Sequence, residues 1–170
     1  RKRLPADLAT TLFLFFVTVP ICDRIVVRFL PYLHLPESVH ALPLWLRIVL
    51  YLMLADFAHY WVHRLMHTRW LWCVHKWHHV PTHMSWLAGN RASFPDRILV
   101  SLPYFFFWPV VQASPWWAGM LLLIFAGIKN DWMHLNTRFR MAWLERVIIT
   151  PHYHHVHHST APEHNTKNLA

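Results

Sequence analysis

Histidines at helical spacing form three clusters in this sequence, and they are the side chains best suited to chemistry. His63 and His67 are four residues apart, so a helix places both on one face. The other two clusters share an i, i+3, i+4 pattern, which brings three side chains to one face. With 16 histidines in 170 residues, chance gives such a pattern about 0.14 times. It occurs twice, as His75, His78 and His79 and again as His154, His157 and His158.

This spacing is typical of metal ligands, because neutral imidazole is the commonest metal-binding side chain. The clusters supply eight histidines, and His134 is a ninth candidate. A closed structural site needs four ligands, so this number favours two ions with positions left open. Imidazole suits zinc, copper, iron and nickel, and ligand type alone leaves the metal open. Acidic residues are scarce, and we expect Asp56 and Asp131 to support ligand N–H groups.

Composition indicates a single membrane domain. Hydrophobic residues make up 55% of the chain and charged residues 14%, whereas soluble domains carry about 25% charged residues. The net charge of +8 does not predict nucleic-acid binding, since the basic residues flank apolar runs and form no stripe. Two cysteines build no disulfide framework. We interpret residues 1–170 as one domain and as a segment of a longer protein.

Four apolar runs predict an all-α membrane fold. The first two are long enough to span a bilayer, whereas the last two are about 20–22 Å long against a hydrocarbon core of ~30 Å. We therefore expect about four transmembrane or re-entrant helices, the last two forming a hairpin. A basic amphipathic stretch at 138–148 is expected on the membrane surface. The runs cover residues 8–30, 43–67, 97–111 and 116–128, and the second is apolar to about residue 55 and then turns polar.

Charge asymmetry predicts the orientation of these helices. With four crossings, residues 1–3, 64–97 and 129–170 fall on one side and hold 13 of the 16 basic residues. The positive-inside rule makes that side cytoplasmic. The histidine clusters lie on it or at its edge, which predicts a multi-pass membrane protein with a cytosolic histidine-rich cap.

These motifs, in this order, are similar to those of a known family. The sequence resembles the fatty acid hydroxylase/sterol desaturase superfamily of membrane non-haem di-iron enzymes over residues 50–170. The resemblance implies a four-helix membrane anchor with a cytosolic metal pair that activates O₂ to hydroxylate or desaturate a lipid. The matching pieces are DFAHYWVHRLMH (56–67), HKWHH (75–79), NRAS (90–93), DWMHLN (131–136), PHYHHVHH (151–158) and the pair Lys167 and Asn168.

The resemblance also implies a ligand set and partners. Two iron ions would be the cofactor, with O₂ as co-substrate and zinc a possible occupant of purified protein. Electrons would come from an external donor of cytochrome b5, ferredoxin or reductase type. Asn130 stands where fatty acyl hydroxylases often carry a further histidine, which places the chain nearer the sterol desaturase branch. The implied ligands are His63, His67, His75, His78, His79, His134, His154, His157 and His158. The implied supporting residues are Asp56, Tyr60, Arg64, Asn90, Asp131 and Asn168.

Other interpretations stay open at the level of sequence. A membrane zinc hydrolase would use similar ligands, although HExxH is absent and no glutamate adjoins a ligand. A metal transporter would place its ligands near mid-membrane, and a bis-histidine haem protein would need only facing pairs. Hydroxylation and desaturation are not distinguished, nor is the lipid. The remaining histidines near the motifs are interpreted as supporting or solvent-facing: His59, His83, His152, His155 and His164.

Overall fold

The computed structural model describes residues 4–112, 115–137, 140–164 and 167, and this part of the chain is helical without a β-strand. The prediction of an all-α fold is therefore confirmed for these residues. Short 3₁₀ turns at Leu30–Tyr32, Ala88–Asn90 and Leu144–Arg146 lie between helices, and another at Pro162–His164 follows the last helix. The α-helices are α1 (Leu4–Phe13), α2 (Val19–Phe29), α3 (Glu37–His40), α4 (Leu44–Met66), α5 (Trp72–His75), α6 (Phe94–Phe106), α7 (Pro109–Gln112), α8 (Trp116–Met133) and α9 (Pro151–His157).

The first apolar run forms a continuous helical rod from Leu4 to Tyr32. A π-helical turn at Leu14–Thr18 joins α1 to α2, directly before Pro20, which has no N–H to donate to the preceding turn. Within the described residues, this 29-residue rod is the one helix whose length and composition meet the requirement for crossing a membrane. The structure thus supplies one candidate span where the sequence predicts about four membrane helices.

The core packs α4 against α6, α7 and α8. Tyr51 and Ala55 of α4 lie against Val110 and Val111 of α7 and Leu122 of α8. Outside this core, large apolar side chains stay exposed along the rod and along α8; Phe16 is 76% exposed and Leu123 is 62% exposed. Apolar patches of this extent are rare on soluble monomers.

Prolines and capping hydroxyls fix where the ligand-bearing helices start. Both α4 and α8 begin directly after a proline, Pro43 and Pro115. The Ser93 hydroxyl caps α6 by accepting from the Asp96 N–H at 3.3 Å. In the same way, Thr150 caps α9 by accepting from the Tyr153 N–H at 3.4 Å. These starts determine which residues reach the opposite ends of the helices, where the histidines lie.

Two segments differ from the sequence-based expectation. Helix α8 continues to Met133, five residues beyond the apolar run, and so carries KNDWM as a polar extension. The amphipathic stretch 138–148 forms only the 3₁₀ turn Leu144–Arg146 among its described residues 140–148. It is fastened instead by the Thr150 hydroxyl, which donates to the buried Glu145 carboxylate at 3.0 Å.

Candidate metal centre

All nine histidines of the implied ligand set lie at or near helix ends. His63 is in the last turn of α4 and His67 caps it. His134 caps α8. The others lie on α5, on the turn that follows it, and on α9 with its C-terminal cap. Helix ends from four separate parts of the chain therefore meet at one place.

In the first set, which we term the five-histidine group, each histidine offers one ring nitrogen, and these five nitrogens all lie within 4.8 Å of one another. The Nε2 of His75 is 3.0 Å from the Nε2 of His63 and 3.1 Å from the Nε2 of His79. The members are His63, His67, His75, His79 and His157.

The second set, the four-histidine group, meets the same distance limit. The Nε2 of His134 is 2.9 Å from that of His154 and 3.4 Å from that of His78. The Nε2 of His158 lies 3.1 Å from the Nε2 of His154. The members are His78, His134, His154 and His158.

Each i, i+3, i+4 motif is divided between the two groups. In the first motif, His75 and His79 join the five-histidine group while His78 joins the other. In the second motif the division is reversed: the middle histidine, His157, goes to the five-histidine group, and His154 and His158 go to the other. The two groups are therefore interleaved, and the His79 and His158 rings stack with centroids 4.4 Å apart.

Backbone carbonyls fix the tautomer of three of these histidines. The Nδ1–H of His78 donates to the Arg91 carbonyl at 3.2 Å, and that of His134 to the Asn130 carbonyl at 2.7 Å. The Nδ1–H of His157 donates to the Lys167 carbonyl at 3.0 Å. With its proton on Nδ1, each neutral ring presents a lone pair at Nε2.

This arrangement fits metal ions. The Nε2 lone pairs of His78 and His134 face each other with no proton between them, which needs a cation to be favourable. Within the described part of the chain, the buried Nε2 of His157 has no hydrogen-bond partner. Metal–nitrogen bonds of about 2.0–2.1 Å place neighbouring ligand nitrogens roughly 3 Å apart, as found here. All nine donors are imidazoles, which suit iron, zinc, copper and nickel.

Burial keeps the imidazoles unprotonated and able to coordinate. Removal from water and the neighbouring histidines lower the pKa of His78, His154 and His158 well below the usual value. Burial likewise lowers the pKa of His134 to about 4 and that of His157 to about 3. The site therefore contains neutral donors at physiological pH.

The predicted supporting residues make other contacts. The Asp56 carboxylate pairs with the Lys129 ammonium at 2.5 Å, and the Tyr60 hydroxyl accepts from Arg64 at 2.8 Å. The Asn130 amide lies 3.5 Å from the Asn90 Oδ1 and 3.4 Å from the Asp131 Oδ1. Asn168 lies outside the described residues.

Sequence reasoning missed a carboxylate that faces a ligand. Asp96 is 2% exposed, and its Oδ1 lies 3.4 Å from the Nδ1 of His75. The sequence signal was the S-x-x-D pattern from Ser93, which reads as a helix cap. Asp96 does serve that helix start through its N–H, and the same position turns its side chain toward His75.

Gly89 was also missed as a structural support, whereas Arg91 belongs to the NRAS motif that carries the resemblance. A Cβ on Gly89 would lie 2.5 Å from the Nδ1 of His134, so the backbone passes too close to the imidazole for a side chain. The Gly89 carbonyl accepts from Arg97 at 2.7 Å. Arg91, whose carbonyl receives His78, is ion-paired with Asp7 of α1, and its Nε donates to the Asp7 Oδ1 at 2.7 Å.

A cavity of about 380 Å³ opens onto both groups. His63 and His75 of the five-histidine group line it together with His78, His134 and His154 of the other. Its remaining wall comes from the π turn, from α6 and α8, and from residues 86–92 around the 3₁₀ turn Ala88–Asn90. A molecule in this cavity would contact both groups at once.

Comparisons with known proteins agree with this geometry. The Fatty acid hydroxylase family model matches residues 48–170. The chain is 28% identical over 108 residues to an alkylglycerol monooxygenase of Xenopus tropicalis, covering 63% of this chain and 24% of that protein. It is 32% identical over 122 residues to a Delta(7)-sterol 5(6)-desaturase of Gibberella zeae, covering 67% of this chain and 36% of that protein. A methylsterol monooxygenase of Arabidopsis thaliana is 25% identical over 120 residues, covering 66% and 39%.

The chain thus spans between about a quarter and two fifths of the length of these curated relatives. No solved structure matches it significantly. The relatives are named as lipid monooxygenases and a desaturase, and the matched region contains all nine histidines of the two groups. On the family match and the residues it covers, the chain is a member of the fatty acid hydroxylase family.

Proposed function

We propose that this chain is the catalytic part of a membrane-bound, O₂-dependent di-iron oxidoreductase that hydroxylates or desaturates a lipid. The observation that supports this best is the pair of interleaved histidine groups facing one cavity. Within each group, neighbouring donor nitrogens are about 3 Å apart, which suits one ion per group. The groups adjoin each other, so the two ions would lie close together. The sterol desaturase and monooxygenase names of the relatives favour lipid oxidation over hydrolysis.

Each group would hold one iron, and the chain's own residues determine how. Bound iron would supply the redox chemistry that O₂ activation and cleavage of an unactivated C–H bond require. The carbonyls of Asn130, Arg91 and Lys167 fix the ring orientations, and Asp96 supports His75. Burial of the histidines excludes water from the ligand nitrogens. The cavity would orient the lipid so that its reacting carbon faces both groups.

Membrane insertion is part of the same proposal. The Leu4–Tyr32 rod would span the bilayer, and the exposed apolar faces of α4, α6 and α8 would complete a membrane region of about four spanning or re-entrant helices. The histidines would then lie on the cytoplasmic side, within reach of an external electron donor of cytochrome b5, ferredoxin or reductase type. The bilayer would deliver the lipid directly to the cavity.

Metal analysis tests the central claim. Detergent-purified protein reconstituted anaerobically with iron is expected to hold about two irons per chain and to show an O₂-dependent optical change. His78→Ala and His157→Ala alter different groups, so each is expected to remove about one iron, while His40→Ala on α3 removes none. Two zinc ions that iron cannot displace would favour hydrolysis, and equal metal content in all three variants would overturn the ligand assignment.

A further inference from the structure

The wall of the cavity next to the five-histidine group carries three polar side chains that the metal site does not use. His59 lies one turn before His63 on α4, with their ring centroids 5.7 Å apart. Ser101 and Tyr104 lie one turn apart on α6, and the Tyr104 ring centroid is 5.6 Å from that of His59. All three line the cavity.

The hydrogen-bonding capacity of these groups is available to a ligand. The Nδ1–H of His59 donates to the Val100 carbonyl at 3.3 Å, which leaves its Nε2 as an acceptor. Among the described residues, neither the Ser101 Oγ nor the Tyr104 Oη makes a hydrogen bond. Both hydroxyls can donate and accept. Polar groups without protein partners are costly unless water or a ligand satisfies them.

The charges around the cavity are balanced. Two cations, Lys129 and Arg97, and two carboxylates, Asp96 and Asp131, line it. The Lys129 ammonium is already paired with Asp56, and Arg97 interacts with the neighbouring carboxylate of Asp96. The acceptor nitrogen of His59 would repel a carboxylate or phosphate oxygen. A neutral hydroxyl matches better, because it can donate to His59 and accept from Tyr104 or Ser101.

The rest of the cavity suits hydrocarbon. Leu14 and Phe15 of the π turn face it, together with Val100, Ala126 and Met133. At Gly127, a Cβ would meet nothing within 4 Å, so the wall of α8 leaves room for a bulky apolar group. Polar and apolar parts therefore meet in one cavity that also reaches the histidine groups.

We propose that His59, Ser101 and Tyr104 form a subsite that binds a hydroxyl group of the substrate, which is therefore an uncharged, hydroxyl-bearing lipid. One helical turn, about 5–6 Å, separates His59 from the ligand His63. The carbon to be oxidised then lies only a few bonds from that hydroxyl. This inference rests on the proposed lipid oxidation and narrows its substrate class.

Photolabelling of zinc-loaded protein in nanodiscs tests the subsite without turnover. The probe is hexadecanol with a terminal diazirine, and the competitors are 1-hexadecanol, hexadecyl methyl ether and hexadecanoic acid. We expect 1-hexadecanol to compete at least about fivefold better than the other two, as the loss of one hydrogen bond predicts. The labelled peptides are expected to include cavity residues of α6 or α8.

Matched variants test which side chains cause the preference for the alcohol. His59→Phe and Tyr104→Phe keep the ring volume and are expected to abolish the preference for the alcohol. Tyr51→Phe removes a hydroxyl from the core and is expected to retain it. Equal competition by the three lipids, or a preference that survives both cavity variants, would overturn the subsite. The result is independent of iron chemistry, so failure of the proposed oxidation would appear in the metal and O₂ measurements instead.

Discussion

Single contacts decide how the imidazoles of this centre are oriented. Three of them donate Nδ1–H to backbone carbonyls, those of Arg91, Asn130 and Lys167. Side-chain replacement cannot remove a carbonyl, so these orientations depend on the path of the backbone. Gly89 and Asp96 are different, because a side-chain substitution at either position changes a contact with an imidazole. Gly89 adjoins His134, and Asp96 faces His75.

Gly89→Ala is expected to empty the four-histidine group. The new methyl would lie 2.5 Å from the Nδ1 of His134 and would push the ring away from the Asn130 carbonyl to which it donates. Metal content measured by elemental analysis should fall by about one ion per chain. Gly127→Ala is the matched control, since its methyl meets open space; unchanged metal in Gly89→Ala would contradict the close approach.

Asp96→Asn is expected to weaken metal binding at the five-histidine group about 10- to 100-fold, the usual effect of losing a carboxylate that supports a ligand histidine. The amide can still accept from His75 but no longer carries the compensating charge. Competition with a chelator measures the affinity. Asp56→Asn tests specificity, because that carboxylate pairs with Lys129. Similar losses in both variants would argue against a particular role for Asp96.

At the scale of elements, the first helix is linked to the histidine groups. Asp7 of α1 binds the Arg91 side chain, and both groups are largely buried. The Arg91 carbonyl in turn receives the Nδ1–H of His78. The 3₁₀ turn Ala88–Asn90, just before Arg91, packs against α1. Movement of the rod would therefore change the orientation of one ligand.

Asp7→Asn is expected to lower the affinity of the four-histidine group for metal by about tenfold, as for the loss of other supporting partners. The amide cannot neutralise the buried guanidinium, so the segment carrying the Arg91 carbonyl should shift. Chelator titration should show two classes of site, with only one class affected. Asp23→Asn, an exposed carboxylate on α2, should leave both classes unchanged; if it behaves like Asp7→Asn, net charge explains the effect.

The sequence predicts the helices and the candidate histidines more readily than it predicts which side chains contact one another. Helical spacing predicts that His75, His78 and His79 share a face, yet it does not reveal that His78 joins a different group from its neighbours. That division depends on where α9 and the end of α8 approach. Asp56 and Asp131 were expected near ligands because few acids are available, but only the fold turns Asp96 toward His75. The apolar run ends at residue 128, so hydropathy alone does not predict that α8 continues to Met133.

At the scale of the whole molecule, burial of many neutral imidazoles makes the protein sensitive to acid. The folded pKa is about 4 for His134, about 3 for His157 and about 2 for His79, against about 6.5 in an unfolded chain. Below pH 6.5 the unfolded state binds more protons than the folded state. The contribution to the free energy of unfolding is thus fully present above pH 6.5 and is lost as pH falls toward those lower values.

Metal-free protein is therefore expected to unfold at a lower temperature at pH 5 than at pH 7.5, with several histidines contributing in the same direction. Thermal unfolding in detergent, followed by circular dichroism at both pH values, measures the difference. A variant with His134, His154 and His158 replaced by glutamine should show a smaller difference. An unfolding temperature that rises on acidification would contradict the buried neutral state of these residues.

The division of α9 between the two groups has a consequence for biosynthesis. His157 belongs to one group, and His154 and His158 belong to the other. A nascent chain that has reached only Ile149 offers four of the five histidines of one group and two of the four of the other. The five-histidine group is complete only once residue 157 has been made, and the four-histidine group only once residue 158 has been made. In the proposed enzyme, full loading with two ions would therefore be a late step of maturation, after the upstream helices have been made.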